Sequence, residues 1–367
     1  MQGGKLMYTT QNSNYGKLIA FFLIAVSLLS VLIVSANGWQ TDDPIYPIGN
    51  TTPNDQNNDD KNPNTQYPNK EIEKQKFYHH ITGLEISEEL YGSPQVAYVI
   101  DSNSPLCGVY NCNILIEFPI ENDKSRFLMI NDITDENSKI GSITYSRYYI
   151  SNLAKVFGAS TISLENDDII TYGHLDTSTS AINLLNFPAL YYKEYTYFSY
   201  TNPNLLYNNV KEMANISTDI KLPYAFSSNV NQVKQRNISA NNITIPYESS
   251  TALTYKRDSN NYVFSKMGSD KIDVSTTNEV TFNNILILFC DSTTYETANN
   301  SELIMHTMGR GFGYYAAGGM AEKISWHLDE NGQMTLLNID GESLVTERGN
   351  FYIAYVKSSR SNYNIFS

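Results

Sequence analysis

The sequence predicts an α+β chain, in which a layered α/β sandwich precedes a small, mostly antiparallel β domain, behind one N-terminal transmembrane helix. Three observations predict it. Residues Leu18 to Ala36 form an apolar run without a charge. Between 77 and 240, short strand-like runs mix with two stretches of helical periodicity. After 241 only strand-like runs remain. The expected division is a cytoplasmic tail over 1–17, an anchor over 18–37, a linker over 38–76, an α/β domain over 77–240 and a β domain over 241–367.

At ~1.5 Å rise per residue, the run Leu18–Ala36 makes a helix of roughly 28 Å, which matches a bilayer core of about 30 Å. Lys5 and Lys17 precede it and the first charges after it are Asp42 and Asp43, so the positive-inside bias puts the N-terminus in the cytoplasm. The rest of the chain is then extracytoplasmic, at the cell membrane, and residues 18–37 contact the lipid bilayer. A cleaved signal peptide is the alternative, because Val34-Ser35-Ala36 suits a signal peptidase.

From Thr41 to about Lys76 the chain is dominated by Asn, Asp, Pro, Thr and Gln. Such a segment buries too little apolar surface to offset its ordering entropy and reads as a spacer. The net charge of −13 argues against nucleic acid or anionic lipid as a partner of the following part.

Strand-like runs follow at Gln95–Ile100, Asn113–Phe118 and Arg126–Ile130. Tyr145, Tyr149, Leu153, Val156 and Phe157 then fall on one helical face, and Gly158 stands at the C-cap position. A second helix starts at Asn202-Pro203, with Asn as N-cap and Pro in the first turn, and turns Leu206, Val210 and Met213 inward. In the C-terminal part, runs such as Tyr262–Ser265, Val280–Cys290, Phe312–Ala317, Met320–His327 and Phe351–Val356 read as strands joined by polar or Gly turns. Gly309-Arg310-Gly311-Phe312-Gly313 is superficially a phosphate loop, but Tyr314–Gly319 continues as a strand and a tight turn, which favours a glycine-kinked hairpin.

Cys107 and Cys112 stand close enough to bridge a small loop in an oxidising exterior, with two free thiols as the alternative. Cys290 reads as a small buried apolar residue. No cofactor is implied, and a zinc site would need four ligands that the spacing does not supply. No Gly-x-Ser-x-Gly, Ser-x-x-Lys, His-Glu-x-x-His or Walker pattern occurs, so no catalytic residue is assigned.

The most informative polar group is Glu117, which interrupts an apolar strand. If it points inward it needs a cation, and Arg126 or Arg147 could supply one bidentately. Glu117, Arg126, Arg147 and Asp101 are therefore the candidate ligand-binding residues. A structural ion pair is the simplest reading of them, and a glycan-active pair of carboxylates, Glu117 with Asp101, is the boldest.

The order of these pieces resembles the YerB-like family. The segments are Val96–Asp101, Ile114–Glu117, Lys124–Leu128, Lys139–Tyr149 and Tyr200–Tyr207, followed by Tyr255–Tyr262, Asn284–Phe289, Gly309–Gly319 and Trp326. The resemblance implies a bacterial extracytoplasmic protein, usually a lipoprotein, with a layered α/β domain and a β domain, and it suggests a link to peptidoglycan synthesis machinery. This chain departs from the family pattern: no lipobox cysteine follows the apolar run, Ser142 and Thr144 replace a Pro and an Arg, and Thr161–Leu164 replaces a His-containing strand. Glu117, Arg126 and Arg147 carry over. The expected activity is binding or regulation of an envelope protein or cell-wall component, with a cell-wall glycan enzyme and a structural spacer as alternatives.

Overall fold

Runs such as Val96-Ala97-Tyr98-Val99-Ile100 and Ile285-Leu286-Ile287-Leu288 are apolar at consecutive positions, so neither side of such a strand can face water. In a computed structural model of the chain, these runs form the middle of one sheet buried on both sides. The structure describes residues 75–122, 124–133, 138–165, 181–195, 197–213, 220–227, 236–247, 250–296 and 301–367.

In chain order the main elements are β1 (Gln95–Asp101), β2 (Ile114–Pro119), β3 (Ser125–Asp132), β4 (Ile140–Ile143), α1 (Tyr148–Val156), β5 (Ala159–Ser163), β6 (Phe198–Thr201) and α2 (Pro203–Met213). They are followed by β7 (Asn242–Ile245), β8 (Thr251–Lys256), β9 (Asn261–Lys266), β10 (Asn284–Cys290), β11 (Gly309–Ala317), β12 (Met320–Leu328) and β13 (Phe351–Lys357). A 14-stranded sheet runs in the order β12-β11-β10-β13-β2-β3-β1-β4-β6, with shorter strands at its margins. Its middle joins strands far apart in the sequence: β13 lies parallel to β2, with Phe351 opposite Ile114 and Ala354 opposite Glu117. β13 also lies parallel to β10, with Asn284 opposite Phe351.

Each face of this sheet has its own cover. Tyr98, Leu115, Phe127, Ile287 and Tyr352 pack against Leu253, Tyr262 and Phe264 of a five-stranded sheet built on β7, β8 and β9. On the opposite face, Val99, Ile116, Phe118, Leu288 and Tyr355 pack against Tyr149, Ile150 and Leu153 of α1. Alternation along each strand sends neighbours to opposite covers.

The helices form where local signals place them. α1 ends before Gly158, whose φ of +65° is a conformation that glycine adopts without a Cβ penalty. α2 begins at Pro203, and the Leu205 N–H donates to Asn202 Oδ1 at 2.8 Å as an N-cap.

The α+β expectation is corrected: the described residues hold 25 strands and two α-helices, and the architecture is mostly β. No layered α/β sandwich forms over 77–240. On one face α1 packs into the buried core, while the other face is covered mainly by a second sheet, with Leu206 of α2 joining that core. The expected membrane helix at 18–37 and the spacer lie outside the described residues. Among the described residues no helix is long and apolar enough to cross a membrane.

Candidate functional site

Every residue of β2, Ile-Leu-Ile-Glu-Phe-Pro, is buried. Glu117 shares the parity of Leu115, so its carboxylate enters the layer between the main sheet and the five-stranded sheet. There it meets Lys266, the last residue of β9, whose parity with Tyr262 and Phe264 turns it inward as well. Lys266 Nζ donates to Glu117 Oε1 at 2.5 Å, and the two residues are 1% and 0% exposed. Around the pair, the Ser125 hydroxyl donates to Oε1 and the Tyr352 hydroxyl to Oε2, both at 2.5 Å. The Thr251 hydroxyl donates at 3.1 Å to Oε2, and Lys266 also donates to Ser125 Oγ at 2.8 Å. Burial above all, and then the Glu117 carboxylate beside it, push the Tyr352 phenol well above its ordinary pKa, so it serves only as a neutral donor.

A carboxylate with this many donors is satisfied inside the protein rather than offered to a ligand. The pair draws one residue each from β2, β3, β8, β9 and β13 to one point, which fixes the small sheet on the large one. A glycan cannot reach Glu117.

The two arginines expected beside Glu117 lie on the other side of the sheet. Arg126 is opposite Phe118 and Asp101 in the ladder, one residue out of phase with Phe127, which is the residue opposite Glu117. Phe118 packs on the α1 face and Phe127 on the small-sheet face, so Arg126 points away from Glu117. Arg147 is the residue that precedes α1, on that same far side. Its Nη2 donates to both carboxylate oxygens of Glu121 at 2.8 Å, and its Nη1 donates to the Leu303 carbonyl at 2.8 Å. Asp101 closes a turn at the end of β1, accepting from the Asn103 N–H at 3.0 Å and from the Ser104 hydroxyl at 3.1 Å. Asp101 and Arg126 stand opposite one another in the ladder, and Arg126 and Arg147 both act on the Tyr149 phenol, while Glu117 lies on the other face of the sheet.

Lys266, Thr251, Ser125 and Tyr352 escaped the sequence reading. A signal existed for Lys266: extending the run Tyr262–Ser265 by one residue puts a lysine on the buried parity, directly after two inward aromatics.

The expected Cys107–Cys112 bridge is not formed; Cys107, Cys112 and Cys290 are buried free thiols. Cys107 is held by its backbone against Gly141, and Cys112 packs in the core. Burial pushes the Cys107 thiol up to about 11, which keeps it protonated.

A second buried polar cluster involves His79. Its Nδ1 accepts from the Thr82 N–H at 3.1 Å, so the proton sits on Nε2, which donates to Asp132 Oδ1 at 3.0 Å. Gln95 and Asn113 also donate to Asp132, at 2.5 and 3.0 Å. Burial works to raise the Asp132 pKa, but the hydrogen bond from His79, with those from the two amides, outweighs it and holds the carboxyl below its usual range. Both ring nitrogens of His79 are engaged, so the cluster is a brace. Among the described residues no group of three or more His, Cys, Asp or Glu could hold a metal ion.

The Gly309–Gly313 stretch is the expected hairpin. β11 and β12 meet through Gly318 and Gly319, both with positive φ, and a Cβ on Gly313 would stand 2.2 Å from the Ile287 carbonyl oxygen.

Compared with known proteins, residues 242–353 match the family model described as "Protein of unknown function (DUF3048) C-terminal domain". No curated protein matches the sequence. Among solved structures, the crystal structure of the YerB protein from Bacillus subtilis shares the fold, with a TM-score of 0.62 and 19% identity over 76% of this chain and 96% of that one.

Proposed function

We propose, from a chain that is YerB-like in fold and carries the C-terminal domain of the DUF3048 family, that this protein is a binding protein of the bacterial cell envelope. It acts outside the cytoplasm by holding another envelope component, and peptidoglycan synthesis machinery is the component we put first. One observation carries the reading: the carboxylate–cation cluster that chemistry would have used, Glu117 with Lys266, is sealed and serves to join two sheets. What the protein offers to other molecules is its surface. In the sequence, the apolar run Leu18–Ala36 and the polar stretch that follows support residence at the membrane's outer side.

Crosslinking intact cells and purifying the full chain tests this. Specific envelope proteins or wall fragments should be enriched relative to a variant lacking residues 1–37, and protease added outside protoplasts should cleave the protein. Recovery of nothing above that control, or protection from external protease, would overturn the reading.

A further inference from the structure

β11, β12 and the short strand Met334–Leu337 carry the main sheet past the edge of its smaller cover. On that face Tyr314 still packs edge-on against Phe366, with ring centroids 5.0 Å apart. Two residues along the strand, Phe312 is 49% exposed. An open recess of about 520 Å³ lies there, inside the range of roughly 300–1,000 Å³ that ligand sites occupy. The ladder sets its floor in two rows: Arg310, His327 and Thr335 stand side by side across three strands, and Phe312, Ser325 and Leu337 form the next row. With strands about 4.8 Å apart and alternate residues about 6.8 Å apart, the six make a platform of roughly 10 by 7 Å.

The platform is held from behind. Trp326 alternates with Ser325 and His327 and enters the opposite core, where its Nε1 donates to the Phe289 carbonyl at 3.1 Å. A Cβ on Gly311 would stand 2.4 Å from that carbonyl oxygen and 2.6 Å from the indole nitrogen, so only glycine lets β11 lie this close. In front, the Phe312 ring stacks on Phe289 with centroids 4.9 Å apart, which fixes one ring face and leaves the other to solvent.

Arg310 and His327 are exposed, and neither side chain makes a hydrogen bond or ion pair within the described residues. Lys323, opposite Tyr314, adds an exposed cation at the near end of the same face. No lining residue is an acid. Asp329 is committed to its own turn, where its Oδ1 accepts from the Asn331 and Gln333 N–H groups at 3.0 and 2.8 Å. Glu322 is buried with Tyr315 on the opposite face, and Asp291, just past the end of β10, does not line the recess. An open aromatic face bordered by two hydroxyls, an imidazole and a guanidinium suits a sugar ring, which offers a flat C–H face and hydroxyls at its rim. The guanidinium adds a bidentate seat for a carboxylate. An acidic peptide would instead call for an unpaired strand edge or a row of side-chain pockets, whereas these groups project from the face of a paired sheet.

We propose that this platform binds an acidic glycan, a sugar chain that carries carboxylates. The inference rests on the envelope reading for where such a ligand is met, but it is tested on purified protein, so its failure leaves the crosslinking test of that reading standing. Calorimetric titration of the full chain at constant ionic strength uses tetramers of galacturonate and of hyaluronan, beside the methyl ester of the galacturonate tetramer and polyglutamate. An acidic tetramer should bind, the ester more weakly and polyglutamate not at all. Phe312→Ala should weaken binding about fivefold, and Phe312→Tyr should retain it. Arg310→Gln, at an exposed side chain, should bring the acid down to the level of its ester. Unfolding midpoints check each variant, and if Phe312→Ala proves unstable, Arg310→Gln decides alone. No binding of either tetramer, equal binding of polyglutamate, or unchanged affinity in a stable variant of Phe312→Ala or Arg310→Gln would refute the proposal.

Discussion

Replacing Lys266 by Met tests the sealed pair most directly. Lys266 and Glu117 are 1% and 0% exposed, so the variant leaves a carboxylate without its cation in a place that water does not reach. Breaking a buried pair in this way costs about 3–5 kcal/mol, a large share of the roughly 5–15 kcal/mol that holds a typical protein folded. At about 2–4 °C per kcal/mol for a unit of this size, the midpoint should fall by roughly 10 °C. The variant carries a further signature. Without Lys266 the buried carboxyl favours its protonated form, so its folded pKa rises above the unfolded value. The folded state then binds more protons than the unfolded state, and stability falls as pH rises through that interval. Urea denaturation at pH 5 and pH 8 should therefore show a larger loss at pH 8. Adding Glu117→Gln should remove the pH dependence and recover part of the stability. A loss below ~0.5 kcal/mol with no pH dependence would refute the reasoning, because it would mean the pair is hydrated.

Asp132, held below its usual range by His79, Asn113 and Gln95, stabilises the fold above its unfolded pKa, and that contribution is lost as pH falls through its folded value. Asp132→Asn should therefore flatten the decline in urea midpoint below about pH 4; an unchanged acid limb would count against the cluster. Gly313→Ala should cost about 1–3 kcal/mol by chemical denaturation, since the new Cβ meets the Ile287 carbonyl oxygen on the adjoining strand, which cannot swing aside. Cys107, Cys112 and Cys290, protonated and buried, should resist alkylation at pH 8 in the folded protein, and all three should react in guanidinium without reductant. A single reactive thiol in the unfolded chain would instead reveal a disulfide.

Features set by near neighbours in the chain could be read from the residues. The start of α2 follows from Asn202 and Pro203, the end of α1 from Gly158, and the β11–β12 hairpin from its glycines, because caps and tight turns are decided within a few residues. Fold class was not decided so locally. The strands of the N-terminal part read as half of a layered α/β unit, yet β2 continues the sheet into β13, hundreds of residues away, and one face is covered by β7, β8 and β9. The inward carboxylate at position 117 was legible as a group that needs a cation. Which cation was not, because that depends on the face each strand turns to its cover. Arg126 differs from the correct parity by a single residue, and Lys266, whose inward parity is legible, belongs to a sheet whose docking partner is not.

The position of β13 constrains how the molecule is made. A strand far beyond β2 in the sequence fills the slot between β2 and β10. Synthesis runs from the N-terminus, so β2 must wait with one edge open until β13 has emerged. Non-local closure of this kind is slow, and an open edge is a template for aggregation. A truncation before Phe351 would leave a gap in the middle of the sheet rather than a shortened end, so quality control should remove chains cut there as efficiently as much shorter ones.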